Sequence, residues 1–126
     1  MKKIKVLIVD DMPDVRFAIR CGLNERRGTY EVYEAGNGKE AIDCLQRIKP
    51  DVILMDIMMP GMDGAKASFI IKNNPESKDI PLIFMSAKES KKLAGKKKFI
   101  ADAFLPKPFE IYELIGVMDR LIEGKR

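Results

Sequence analysis

Three stretches of the chain are apolar without interruption: Val6-Leu-Ile-Val9, Val52-Ile-Leu-Met55 and Leu82-Ile-Phe-Met85. Runs this short, with no polar alternation, predict strands buried on both faces. Tyr30–Ala35 mixes β-formers with charge and reads as an edge strand, and Ala103–Leu105 as a short fifth one. Between these runs the apolar period changes to that of helices. Val15, Ala18, Ile19 and Leu23 form one stripe, with Arg16 and Arg20 outward, Pro13 in the first turn and Gly28 just past the end. Ala41, Ile42, Leu45 and Ile48 form a second, opened by Asn37 with Glu40 three residues on and stopped at Pro50. A third helix is expected from about Gly64 to Asn73, capped by Asp63, with Ala67, Ile70 and Ile71 inward. Lys88–Lys98 carries only Leu93 and Ala94 as apolar positions and predicts a short, loosely held fourth helix. Ile111, Leu114, Ile115, Met118, Leu121 and Ile122 stripe the last one.

Strands and helices thus alternate throughout. That order predicts an α/β fold: a five-stranded parallel sheet covered on both faces by right-handed crossovers, a three-layer doubly wound (βα)5 unit. The chain of 126 residues is expected to be one domain, 1–126, with a core that needs no staples.

The polar residues that interrupt the apolar runs change the picture. Asp10 and Asp11 follow the first strand, Asp56 ends the third, Ser86 the fourth, and Lys107 comes just after the fifth. In an open α/β sheet, ligands bind beyond the carboxyl ends of the strands. Singly, each of these residues has a plain structural reading as a helix cap, a turn former or a solvated charge. Together they make a site. Three crowded carboxylates repel one another, and a hard divalent cation relieves the repulsion; oxygen ligands with room for water suit Mg²⁺. An ammonium and a hydroxyl beside an aspartate complete a site able to stabilise a phosphoryl group in transit, with the aspartate as nucleophile.

Composition narrows the alternatives. The chain has no histidine, so histidine general-base chemistry and most zinc sites are excluded. Cys21 and Cys44 are isolated in helical patterns and are expected as buried thiols of a reducing compartment. No apolar run approaches a membrane span and the N-terminus shows no cleavage pattern, so a cytoplasmic protein is expected. The four Met residues between Met55 and Met62 are expected to pack core and loop, not to bind metal.

The motifs Val-Leu-Ile-Val-Asp10-Asp11, Asp56-Ile-Met-Met-Pro-Gly-Met-Asp-Gly64, Ser86-Ala87 and Phe104-Leu-Pro-Lys107-Pro-Phe109 are specific in combination. With them, essentially the whole chain resembles a receiver domain of a two-component response regulator, of the chemotaxis-regulator type. The resemblance implies a flavodoxin-like sheet in the order 2-1-3-4-5. It implies that Asp56 accepts a phosphoryl group from a histidine kinase or histidine phosphotransfer protein. Asp11, Asp56 and the backbone carbonyl of Met58 would bind Mg²⁺ directly, and Asp10 mainly through water. Lys107, its bond to Pro108 cis, would pair with the acceptor and then with the phosphoryl group. Ser86 would bond that group, and its movement would let Phe104 turn inward. The switched output surface would be the face of the fourth predicted helix, fifth strand and last helix, where a downstream protein docks; a monomer or a phosphorylation-dependent dimer is consistent with it. Phosphoryl acceptance and slow autodephosphorylation are the only chemistry implied, not turnover as an enzyme. Met58 and Lys88 would flank the hydrolytic water and prolong the phosphorylated form.

This chain departs from the commoner pattern at Ser86 (often Thr), Phe104 (often Tyr) and Ile100 (often Gly). A receiver acting as a phosphorylation-independent interaction module is the main alternative. A haloacid-dehalogenase-type phosphohydrolase would need a second Asp where Met58 stands, and two aspartates after the first strand would repel a flavin phosphate. Lys88, Lys91, Lys92, Lys96, Lys97 and Lys98 make a basic segment that fits either a solubilising face or a docking surface for an acidic protein; no stacking aromatics accompany it, which argues against nucleic acid.

Overall fold

A computed structural model describes residues 2–59, 61, 64–86 and 101–124. Five strands, β1 (Ile4–Val9), β2 (Tyr30–Ala35), β3 (Val52–Asp56), β4 (Leu82–Ser86) and β5 (Ala103–Pro106), form one parallel sheet in the order β2-β1-β3-β4-β5. The order places charged β2 on an edge and the all-apolar strands β1, β3 and β4 inside, as their patterns require. The described helices are α1 (Pro13–Asn24), α2 (Gly38–Leu45), α3 (Gly64–Lys72) and α4 (Ile111–Glu123). The helix expected over Lys88–Lys98, with its lysines, and Ile100 lie outside the described residues, as do Pro60, Met62 and the expected cap Asp63.

The central strands send alternate residues to opposite layers. Val6, Ile8, Val52, Leu54, Ile83 and Met85 pack with Ile19 and Leu23 of α1 and Leu114, Ile115 and Met118 of α4. Leu7, Val9, Ile53, Met55, Leu82 and Phe84 pack with Ala41 and Cys44 of α2 and Ala67 and Ile71 of α3. These twelve strand residues are all 0% exposed, so the three central strands meet water on neither side.

Several boundaries differ from the sequence reading. α1 ends at Asn24, and Gly28 instead takes φ 77° in the turn beyond. α2 stops at Leu45, before Pro50 can stop it. At its start the Asn37 side chain accepts from Glu40 N as expected (2.8 Å), but Glu40 reaches back to Gly36 N (3.2 Å), one residue before the cap. Cys44 is buried, whereas Cys21 is exposed, because it lies on the outer side of α1 away from Ile19 and Leu23. Ala18 is exposed as well, but on the side of α1 that borders the start of α4.

One polar anchor was not foreseen. Lys72, at the end of α3, extends its amine to Asp102 Oδ2 (2.7 Å) and to the carbonyls of Ile80 (2.7 Å) and Lys78 (3.2 Å). The same Asp102 oxygen accepts from Leu82 N (2.8 Å), so a single ammonium ties α3, the entry to β4 and the entry to β5 together. Lys72→Met is expected to cost about 2–3 kcal/mol, less than a fully buried pair because Asp102 can rehydrate. A urea midpoint no lower than that of the parent, at equal slope, would contradict this.

Candidate functional site

The parallel register brings the chemistry to one edge. Asp56 ends β3 opposite Met85, and Ser86 is the next residue of β4. Ser86 pairs with Pro106, and its carbonyl accepts from Lys107 N (2.7 Å), which fixes where the lysine leaves β5. Asp10 follows β1 and donates its N–H to Ala35 O (3.1 Å). Asp56 and Ser86 therefore stand on strand ends, Asp10 and Lys107 one step beyond, and Asp11 two steps beyond. The Lys107–Pro108 peptide bond is cis.

One carboxylate oxygen from each of Asp10, Asp11 and Asp56 lies within 4.8 Å of the others, the set of this kind found among the described residues. Asp10 is fully buried, Asp56 half-buried and Asp11 exposed, so the group opens to solvent on the Asp11 side. Neither Asp10 nor Asp11 caps α1; Met12 holds that position without a side-chain bond, and Asp10 Oδ1 accepts from Met12 N (2.9 Å). Lys107 Nζ sits 3.1 Å from Asp10 Oδ2 and 3.7 Å from Asp56 Oδ2. The lysine is thus nearer the buried first aspartate than the acceptor expected for it. Met58 N approaches Asp56 Oδ1 at 3.3 Å, while the Met58 side chain is exposed.

Burial pushes the Asp56 carboxyl above its ordinary value; Lys107 opposes the shift, Asp10 adds to it, the Met58 N–H opposes, and Asp11 adds again. Three oxygens of one charge around an opening, with a proton-hungry member, are a donor set suited to a small hard cation.

Ser86 is 1% exposed and its Oγ has no hydrogen-bond partner among the described residues. A buried hydroxyl without a partner costs stability and is poised to bond whatever enters beside it. Phe104, opposite Phe84 in the ladder, is 40% exposed; the rings stand 5.8 Å apart at 32°. The ring expected to turn inward therefore lies outward here, against the buried Phe84.

Two features of the site are not foreseen in the sequence. Gly64 begins α3 so close to β3 that its N–H bonds Ile57 O (3.1 Å) and an added Cβ would lie 2.7 Å from Asp56 O. Arg16 does not point idly outward: it bonds Asp10 O and Glu34 Oε1. A groove of about 630 Å³ runs beside the site between α1 and the start of α4, lined by Val15, Ala18, Lys107, Pro108, Phe109 and Ile111 among others.

The family model described as the response regulator receiver domain matches residues 6–119. The chain is 34% identical over 122 residues to Protein PilH of Pseudomonas aeruginosa, covering 95% of this chain and 98% of that one. It is 33% identical to the response regulator MprA of Mycolicibacterium vanbaalenii over 94% of this chain, but spans only 50% of MprA. Among solved structures, the receiver domain of the sensor histidine kinase PA1611 from P. aeruginosa superposes with a TM-score of 0.88 at 26% identity, covering 97% of this chain and 99% of that one; it carries a magnesium ion in its active-site cleft.

Proposed function

The chain belongs to the response regulator receiver family of two-component signalling, and from that premise we propose that Asp56 is its phosphoacceptor, charged with Mg²⁺ present by a histidine kinase or histidine phosphotransfer protein. The observation that carries the reading is the meeting of three carboxylates within 4.8 Å with an ammonium 3.1 and 3.7 Å from two of them. Asp10, Asp11, Asp56 and the Met58 carbonyl would hold the metal. When bound, it neutralises the carboxylates and stabilises charge on the phosphoryl oxygens.

An Asp56 carboxylate oxygen attacks the phosphorus of a phosphohistidine. The new O–P bond forms as the P–N bond breaks, and the imidazole nitrogen leaves with the electron pair and takes up a proton. Lys107 exchanges carboxylate contacts for a phosphoryl oxygen, and the buried Ser86 hydroxyl donates to another. Moving Ser86 toward the phosphoryl group frees space along β4 for Phe104 to rotate inward, which biases the surface around β5 and α4 toward one of two states. The apolar groove at Val15, Ala18, Pro108 and Ile111 opens beside Lys107 and suits a helix of the phosphodonor, whose histidine would then face Asp56. A downstream protein would read the β5–α4 surface. We further propose that residues 1–126 act as one receiver unit.

Incubation with acetyl phosphate, followed by intact mass, tests the acceptor. A gain of one phosphoryl group is expected with Mg²⁺, and none without it or in Asp56→Ala. No gain under any condition would favour the phosphorylation-independent interaction module.

A further inference from the structure

The turn that carries Asp10 and Asp11 is held from outside the acidic cluster. Asp10 is 0% exposed, and each of its polar groups is engaged. Its N–H bonds Ala35 O, Oδ1 accepts from Met12 N, and Oδ2 accepts from Lys107. Its carbonyl lies beyond the end of the β1–β2 ladder, and Arg16 Nη1 supplies the missing donor. Arg16 Nε is in turn fixed on Glu34 Oε1 of β2 (3.1 Å), and Arg20 Nε holds the other oxygen of that carboxylate (2.9 Å). The Arg16 side chain is 18% exposed; its bond to the Asp10 carbonyl is partly buried, whereas its bond to Glu34 is open to solvent.

We propose that Arg16 is a positioning residue for the metal site: by bonding the Asp10 carbonyl and Glu34 at once, it fixes the turn that aims Asp10 and Asp11 and so sets the affinity for Mg²⁺. The inference rests on the Mg²⁺ reading given above. The Glu34 carboxylate, shared with Arg20, offsets the guanidinium charge in part on the side away from Asp10. The two bonds leave from Nε and Nη1, two separate points of one rigid plane, whereas a lysine would have to reach both acceptors from a single nitrogen. Without Arg16 the Asp10 carbonyl must find water. The turn must then move away from the geometry in which its carboxylates converge.

The test is a titration with Mg²⁺ alone, read from the backbone amide shifts of Asp11 and Met58, beside urea midpoints for each protein. Arg16→Met is expected to weaken Mg²⁺ about tenfold, as loss of an outer support of metal ligands does. Arg16→Lys keeps the charge and is expected to remain several-fold weak, which also decides the matter if Arg16→Met does not fold. Arg20→Met shares Glu34 but does not touch Asp10; it is expected to lose stability and keep parental affinity. Folded Arg16 variants that bind Mg²⁺ like the parent would overturn the proposal. So would an Arg20→Met protein weakened equally, since looser packing of α1 on β2 would then explain both. A parent chain with no saturable shift would instead remove the Mg²⁺ reading itself, and the proposal with it.

Discussion

Gly64→Ala is expected to cost about 3 kcal/mol and roughly 10 °C of melting temperature, although alanine is the better helix former. Gly64 is the first residue of α3 and does not use a positive φ, so its role is steric. An added Cβ would lie 2.7 Å from Asp56 O, 2.9 Å from Phe84 Cε1 and 3.0 Å from Ile57 Cα. Two of these three atoms are backbone, and the third belongs to a fully buried ring packed against the sheet. None can step aside as a flexible side-chain end could. Relief must come from parting α3 from the end of β3, which displaces Asp56 itself. Phosphoryl uptake from acetyl phosphate is therefore expected to slow by at least tenfold, on the order of what a small misplacement of a reacting group costs. Gly116→Ala is the matched control. Gly116 is an exposed residue inside α4 with nothing within 4 Å of the added Cβ, and should gain about 0.5–1 kcal/mol from propensity alone. If both alanines stabilise, the close approach of α3 to Asp56 is not rigid.

The same contrast between local and remote causes explains what was legible in the sequence. Val6–Val9, Val52–Met55 and Leu82–Met85 carry their own signal, because a strand covered on both faces needs apolar residues at every position. The site residues inherit that clarity: Asp10, Asp56 and Ser86 stop apolar runs, and stopping points of parallel strands share one edge. Pairings made by long side chains across the fold carry no such mark. Nothing local marks Lys72, because its partner Asp102 lies thirty positions away. Arg16 looked like a solvated charge at helical spacing, yet its reach to Asp10 O depends on where β1 ends relative to α1. Lys107 lies 3.7 Å from the acceptor carboxylate expected for it, and its amine also reaches the fully buried Asp10 at 3.1 Å, a second pairing that its position in the sequence does not announce. Helix ends were misplaced for a related reason. Gly28 and Pro50 mark where a helix cannot continue, while packing against the sheet decided that α1 and α2 stop earlier.

Asp56→Asn is expected to abolish phosphoryl uptake and, in metal-free solution at neutral pH, to raise the melting temperature. Its carboxyl is pushed above the ordinary range in the folded protein by burial, with Asp10 and Asp11 adding to the effect against Lys107 and Met58 N–H. A group whose folded value is raised binds its proton more tightly folded than unfolded. Folding is therefore favoured while Asp56 is protonated, and that advantage is lost as pH rises from the unfolded carboxyl value, about 3.9, through the raised folded value. Above that window the ionised Asp56 is a standing cost, which an amide of the same shape removes. The amide oxygen can still accept from Met58 N, and Lys107 keeps its shorter contact with Asp10. A gain of on the order of 1 kcal/mol, or about 4 °C, follows from removing a partly buried charge and, second to that, its like-charge contacts with Asp10 and Asp11. The gain over the parent should shrink as pH falls through the window and vanish below about pH 4. Magnesium should act in the opposite sense: it stabilises the parent by binding only the folded state, and does so less for a variant that lacks one of three carboxylates. Melting curves of parent and variant, taken across that pH range with and without Mg²⁺, separate the two effects. A variant less stable than the parent at neutral pH without metal would mean that Lys107 and the Met58 amide already outweigh burial and repulsion at Asp56, so that no unrelieved charge awaits a cation there.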